Sequence, residues 1–274
     1  YFFLLLLLPL SACSDYEWGW FIISPANESG LTNLKFLIGG ITTTIYISLI
    51  SIIISMLIGL VVTIPAIAKN KYLTYANIAY VEIVRSIPLL ILILWVYYGL
   101  PILTGFSFSP FVSGIIALSI SESAFQAEIF RGGINAVNKT QWEAATSLGL
   151  KFSQKLRFVI LPQAFKVILP ALGNQFIYVL KMSSLVSIIG IADLTRKANE
   201  LVVSTYRPLE IYTFLILEYL ILILVISYFV RKLEKKLKNN YLAISFFKKK
   251  YLTIPTTKIP KNQFIMSRPI NRCS

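Results

Sequence analysis

Four ionisable residues stand inside apolar stretches of the chain: Glu122, Glu128, Lys181 and Glu218. A charge at the centre of a membrane helix costs roughly 2.5 to 3.5 kcal/mol on insertion scales, so such a residue faces a partner, a solute or a wet cavity. Lys181, with Ser183 and Ser184 beside it, can meet a carboxylate, and Glu122 can meet an ammonium. An internal ion pair among these residues satisfies them equally well, and the sequence leaves both readings open. Glu128 and Arg131 lie three apart at a helix end and read as a structural pair.

A second constellation occupies the polar, basic segment from Asn135 to Lys166. It runs Thr140-Gln-Trp142-Glu143-Ala144-Ala145-Thr-Ser-Leu148-Gly149, then nine residues, then Val159-Ile-Leu161-Pro162. Its local chemistry predicts two short helices. Thr140 with Glu143 forms a capping box, Trp142, Ala145 and Leu148 share one face, Gly149 permits the turn that ends the first helix, and Ser153 caps the second.

Other chemistry is excluded by what the 274 residues lack. There is no His, which removes imidazole metal sites and any Ser/His or Cys/His nucleophile pair. Cys13 and Cys273 lie at opposite ends, a poor arrangement for a metal site or a structural disulfide. No phosphate loop of the form G-x-x-x-x-G-K-[ST] occurs, so any ATP that drives this protein is bound by another polypeptide. No cofactor is expected.

The elements that must position these residues are helices in a membrane. Apolar residues make up 56% of the chain and charged ones 14%, about half the charge of a soluble domain. Phe36 to Ala68 and Ser86 to Ser121 carry no charge at all, and roughly 20 apolar residues cross a hydrocarbon core. Spans are expected at about 40–67, 88–103, 111–130, 167–191 and 211–230, within a domain covering 36–236. A polar connection at 69–86 separates the first two, and a tight hairpin between Pro101 and Pro110 separates the second from the third. The interleaved Gly, Ser and Thr of the first span imply packing against protein rather than lipid alone.

Residues 1–13 read as an apolar leader ending in Leu10-Ser11-Ala12-Cys13, similar to a lipoprotein-type signal, and 14–35 as a periplasmic segment. Of the net charge of +14, most lies beyond residue 230, where twelve Lys and Arg face one acid, Glu234. A basic tail after a last span marks a cytoplasmic terminus rather than a nucleic-acid site. Residues 237–274 form that tail, with a composition that does not require a fold. Placing the 69–86 loop, the 131–166 loop and the tail inside gathers the basic residues on one face, with the N-terminus out and the C-terminus in. Five spans are few for a pathway, and a second copy or a sister chain closes one between them.

The Glu143-Ala144-Ala145, Gly149 and Leu161-Pro162 spacing resembles the EAA motif of the membrane subunits of bacterial ABC importers, with Val159 replacing an Ile. The similarity covers about residues 36–236 and is nearest to the permeases for polar amino acids, the histidine, glutamine and glutamate group. Arg85-Ser-Ile-Pro88-Leu-Leu and Ala127-Glu128-Ile-Phe-Arg131-Gly-Gly-Ile resemble motifs of that group. Lys181-Met182-Ser183-Ser184-Leu185 does too, although Met182 stands where an acid is usual.

The resemblance implies an all-α, polytopic fold of the type I importer permease, with a cytoplasmic two-helix coupling loop. It also implies that Glu143, Ala144, Ala145, Gly149, Leu161 and Pro162 dock on a separate ATPase, and that a periplasmic amino-acid-binding protein delivers the solute. Helix capping alone also accounts for Glu143, and both roles can hold together. Glu122, Lys181, Ser183 and Ser184 are the expected substrate pathway, with Lys181 favouring acidic or neutral polar solutes. The main rival is an ion-coupled carrier of small zwitterions, which would use the buried acids and have no need of the elbow. The expected site of action is the bacterial inner membrane, with lipid as a partner and no nucleic acid.

Overall fold

The computed structural model describes residues 17–67 and 71–251; the leader and Cys13, and the tail beyond Tyr251, lie outside the described residues. By internal contacts the chain divides into one unit ending at Lys232 and a second beginning at Leu233, whose described residues are helical.

The first unit opens with a single 3-10 turn at Trp20–Ile23, followed by α1 (Glu28–Ile38) and α2 (Gly40–Ile67). Together α1 and α2 give a 37-residue apolar rod from Glu28 to Ile64. One face of α2 carries Thr44, Ser48, Ser51, Ser55, Gly59 and Thr63, all buried, at helical spacing. The opposite face exposes Leu49, Ile53, Leu57 and Ile64, as a lipid-facing surface does. The small face packs along α6 (Pro110–Asn135), the most extensive helix contact in the molecule. Its hydroxyls turn to carbonyls: Ser48 donates to Thr44 O at 2.7 Å, and Thr63 donates to Gly59 O at 2.7 Å and to Ala127 O of α6 at 3.1 Å.

The segment expected as a polar connection at 69–86 is instead helical from Lys71 to Ser86, forming α3. Val81 and Val84 form its buried face, Asn77 Nδ2 donates to Val62 O at 2.6 Å, and Tyr80 OH lies 2.7 Å from Ser123 Oγ. Its charged residues masked an amphipathic helix that packs on α2 and α6. Then the chain bends by 93° into α4 (Leu89–Leu94), a π turn at Trp95–Gly99, and α5 (Leu100–Thr104). The break falls at Ser86 to Pro88, where proline lacks an amide donor and disfavours helix in the residue before it.

α6 is the central element. Ser109 caps it by accepting Val112 N–H at 3.3 Å, and Pro110 fits its first turn. Its buried residues include Ser113, Ser119, Ser121, Glu122, Ser123 and Gln126, more polar than a lipid-facing helix tolerates. Neighbours enclose it, which is why it does not count among the helices apolar enough to span alone. By that measure the described residues hold three such helices, or up to four if the bent pair α3 to α5 is one.

α7 (Lys139–Ser147) and α8 (Phe152–Lys155) follow at one end of the bundle. The second arm is not a separate short helix: it continues through a π turn at Leu156–Ile160 into α9 (Leu161–Met182) and a 3-10 stretch at Ser183–Ile189. The result is one 38-residue rod, Phe152 to Ile189, with Pro170 inside it. At the opposite end α10 (Leu194–Thr205) packs with Ile22, Ile23, Leu37 and Ile211, the last from α11 (Pro208–Tyr251).

Candidate functional site

The elbow formed by α7 and α8 is built from two kinds of side chain. Ala145 is buried and Trp142 half-buried, and Trp142 packs against a cluster of Phe130, Ile134, Ile160 and Ile168 from α6 and the rod. Glu143 and Ala144 are exposed. Gly149 ends α7 in the left-handed region at φ 70°, and Leu150 N–H reaches back to Ala145 O at 3.2 Å. Leu161 and Pro162, both half-buried, start α9.

The caps differ from the expected ones. Asn138, not Thr140, caps α7, its Oδ1 accepting Thr140 N–H at 3.0 Å. Lys151, not Ser153, occupies the N-cap of α8, where Gln154 Oε1 accepts Lys151 N–H at 2.9 Å. Leu148 is the C-cap and is 77% exposed, so it leaves the face shared by Trp142 and Ala145. Because Asn138 caps α7, the Glu143 carboxylate is not needed for capping and stands exposed. A cavity of about 640 Å³ lies between this elbow and the end of α6, lined by Arg131, Lys139, Trp142, Glu143, Phe152 and Lys155 among others.

Glu122 is 1% exposed, and Gln175 of α9 donates to its Oε2 at 2.5 Å. Lys181, by contrast, is exposed, and among the described residues the ion pairs are Glu128–Arg131, Arg196–Glu200 and Arg207–Glu210. The internal pair between Lys181 and Glu122 is therefore not formed. The Glu128–Arg131 pair is formed, with Nε to Oε1 at 2.8 Å and NH2 to Oε2 at 2.5 Å. Ser183 is fully buried and donates to Leu180 O at 2.9 Å, and Ser184 donates to Lys181 O at 2.8 Å, so both hydroxyls serve their own helix. Glu218 is 7% exposed, and neither of its carboxylate oxygens has a hydrogen-bond partner among the described residues. Gln126, fully buried beside Gly59, is in the same condition.

Three further residues that spacing did not single out touch one another in turn. Arg85, assigned in the sequence to a connecting loop, ends α3 at the 93° break with its guanidinium carbon 4.9 Å from the centre of the Phe125 ring. Phe125 in turn lies 6.3 Å from the Tyr178 ring. Glu122 and Phe125 are one turn apart on α6, as are Gln175, Tyr178 and Lys181 on α9. The available signal was Arg85 three residues before Pro88, a cation beside a helix breaker.

A family model described as the binding-protein-dependent transport system inner membrane component matches residues 52–239. The arginine transport system permease protein of Bacillus subtilis is 35% identical over 210 residues, 77% of this chain and 96% of that protein. A probable glutamine ABC transporter permease protein of the same organism is 39% identical over 209 residues, covering 76% and 96%. The glutamine transport system permease protein of Escherichia coli K12 is 32% identical over 223 residues, covering 81% and 99%. Among solved structures, a crystal structure of an amino acid ABC transporter with histidines superposes with a TM-score of 0.73 at 36% identity, covering 81% of this chain and 100% of that one. The MetNI methionine ABC transporter in an inward-facing conformation gives 0.67 at 20% identity, covering 75% and 98%, a likeness of fold.

Proposed function

The chain belongs to the family of binding-protein-dependent transport system inner membrane components, and from that premise we propose that it is the permease subunit of an ATP-driven importer of polar amino acids. It is a multi-pass inner-membrane transport component and not an enzyme. Its partners are ATPase subunits, an amino-acid-binding protein and a second permease subunit. Five crossings are counted as the α2 rod, the bent pair from α3 to α5, α6, the Phe152–Ile189 rod and α11. Lys139, Lys151, Lys155 and Arg157 at the elbow end support a cytoplasmic position for that end and a periplasmic one for the N-terminal segment.

The observation that carries the reading is the division of labour within α7. Glu143 and Ala144 are exposed, Glu143 at the rim of the cavity beside the elbow, while Ala145 is buried and Trp142 packs against the cluster from α6 and the rod. A push on α7 reaches the rod through side chains already in contact, Trp142 against Phe152 and against the cluster around Ile160, since packed side chains transmit displacement. The rod then runs as one continuous helix from Phe152, through the π turn at Leu156–Ile160 and past Pro170, to the depth of Gln175 and Lys181. There Glu122 receives the solute's α-ammonium once Gln175 gives way, an exchange of an amide donor for a cationic one with three N–H groups. Arg85 and Lys181 receive its carboxylate, and the Ser183–Ser184 turn sets the end of the helix that carries Lys181.

Purification from membranes in mild detergent, with identification of the proteins retained, tests this. Retention of an ATP-binding-cassette ATPase, and amino-acid uptake into proteoliposomes that needs both ATP and a binding protein, is the expected result. Uptake driven by an ion gradient with no ATPase present overturns it in favour of a secondary carrier.

A further inference from the structure

The 3-10 turn that precedes α1 is pinned at a defined depth. Gly19 N–H donates to Oε1 of the buried Glu210 at 2.6 Å, Arg207 NH1 donates to Glu17 O at 2.6 Å, and Asn33 Nδ2 donates to Ile22 O at 3.0 Å. Ile22 and Ile23 pack with Leu37, Leu201 and Ile211. The turn therefore lies folded back beside α1, level with the first turn of α11. That level is one edge of a span: from Ile211 to Val230 the only charge is Glu218, a helix length of about 30 Å, which matches a hydrocarbon core. Arg231 and Lys232 mark the other edge.

The outward side of the turn is aromatic. Trp18, Trp20 and Phe21 are exposed, with the two indoles stacked at 5.5 Å and 4° between planes. Tyr206, 85% exposed, holds φ 55° at the end of α10, where glycine is the usual residue, so a large ring is kept there at a backbone cost. Lys197 Nζ lies 4.8 Å from the centre of the Phe36 ring, and Lys35 beside Phe36 is exposed.

From this arrangement we propose that Trp18, Trp20 and Phe21 form an interfacial anchor whose partner is the phospholipid headgroup layer at the end of the bundle opposite the elbow. The proposal goes beyond the permease reading and requires only that α11 cross a membrane. Rings with a polar edge favour that layer, and lysines at the same level reach its phosphates. A soluble protein can also cover an aromatic patch. Continuity favours lipid: Leu209, Tyr212, Ile216 and Leu220 form one exposed stripe of α11 that starts at the level of the patch and runs down the span, aromatic first and aliphatic below.

The test is tryptophan fluorescence of the purified permease–ATPase complex in phosphatidylcholine nanodiscs, wild type against Trp18→Phe/Trp20→Phe. Phenylalanine keeps an apolar ring, and the difference between the two proteins isolates the signal of these two indoles from every other tryptophan. That signal is expected to fall at least twofold when the phosphatidylcholine is brominated near the top of its acyl chains, and to respond little to aqueous iodide. Strong quenching by iodide with no response to bromine places the indoles in water and overturns the proposal. A signal screened from both quenchers means that protein covers the patch, and overturns it as well, whether the cover is a binding protein or a second copy.

Discussion

Lys155 Nζ donates a 2.8 Å hydrogen bond to Thr146 Oγ1, tying the foot of the long rod to the last turn of α7. Two further contacts close the same angle: the Trp142 and Phe152 rings, 6.3 Å apart, and Gln163 Nε2 to Gln141 Oε1 at 3.3 Å. The elbow is therefore a brace held at three points, and its apolar side is continuous with the cluster around Ile160 and Ile168. Force applied to α7 reaches the rod through contacts that already exist.

That geometry separates two substitutions on one helix. Glu143→Ala removes an exposed group that caps nothing, so the melting temperature is expected to stay within about 1 °C, surface changes being worth within about 0.5 kcal/mol. ATP-dependent uptake is expected to fall at least tenfold. Trp142→Ala strips the buried face and is expected to cost on the order of 3 kcal/mol, lowering the melting temperature together with transport. Melting curves alongside proteoliposome uptake check both; a Glu143→Ala protein with full uptake removes the motor contact from this residue.

Gly59 gives a second prediction. A Cβ there would stand 2.6 Å from Gln126 Cβ, 2.9 Å from Ala127 N and 2.9 Å from Ser123 O, so α2 and α6 touch backbone to backbone at this point. All three atoms belong to α6, and two of them are backbone atoms that cannot swing aside. Gly59→Ala is expected to cost about 1 to 3 kcal/mol as overpacking, and Gly59→Leu to prevent assembly of a folded bundle. Thermal unfolding in detergent distinguishes this from a tolerant site, where alanine in mid-helix would stabilise by up to about 1 kcal/mol.

Much of this was legible in the sequence, and the failures have physical causes. Apolar runs announced α2, α6 and α11, and Gly149 announced the left-handed turn at φ 70°. Glu128 and Arg131 paired as their three-residue spacing required. The polar look of residues 71–86 hid α3, because half-wetted helices bury only a narrow face, here Val81 and Val84. The second short helix capped by Ser153 and the span at 167–191 read as separate in the sequence, yet they form one rod, because proline is tolerated near a helix start and a π turn carries the helix across. The partners of Glu122 could not be read from spacing. Gln175 is 53 residues away and meets it only through the packing of α6 on α9.

Gly149→Ala tests the turn itself. Nothing lies within 4 Å of the position a Cβ would take, so the only obstacle is the positive φ, which L side chains adopt at a cost of roughly 1 to 2 kcal/mol. A mild loss of stability with a larger loss of coupling is expected, since the strain relaxes by reorienting α7. Asparagine, which tolerates this conformation, is expected to restore most of the transport lost to alanine. Uptake ranked Gly, Asn, Ala in descending order checks the argument, and equal uptake by all three contradicts it.

Asp193, outside the membrane helices, supplies a pH dependence. It is fully buried at the start of α10, where its Oδ1 accepts Arg196 N–H at 2.8 Å while Oδ2 has no partner among the described residues. Burial raises its pKa from 3.8 to about 6, partly opposed by the hydrogen bonds from Arg196 and Thr195. Tyr219 of α11 faces it, and neither that phenol nor Thr44, which accepts Leu194 N–H at 3.3 Å, carries a charge to offset its own. Between pH 3.8 and about 6 the folded state holds a proton that the unfolded chain has released. The contribution to stability is therefore complete below pH 3.8 and lost as pH rises through about 6, by an amount on the order of 3 kcal/mol. Asp193→Asn keeps a cap of equal quality and has no charge to bury. Its melting temperature is expected to match the wild type near pH 4 and to exceed it by a few degrees at pH 7. A wild-type protein that is the more stable of the two at pH 7 would mean that a cation reaches Oδ2, and would reverse the sign of the argument.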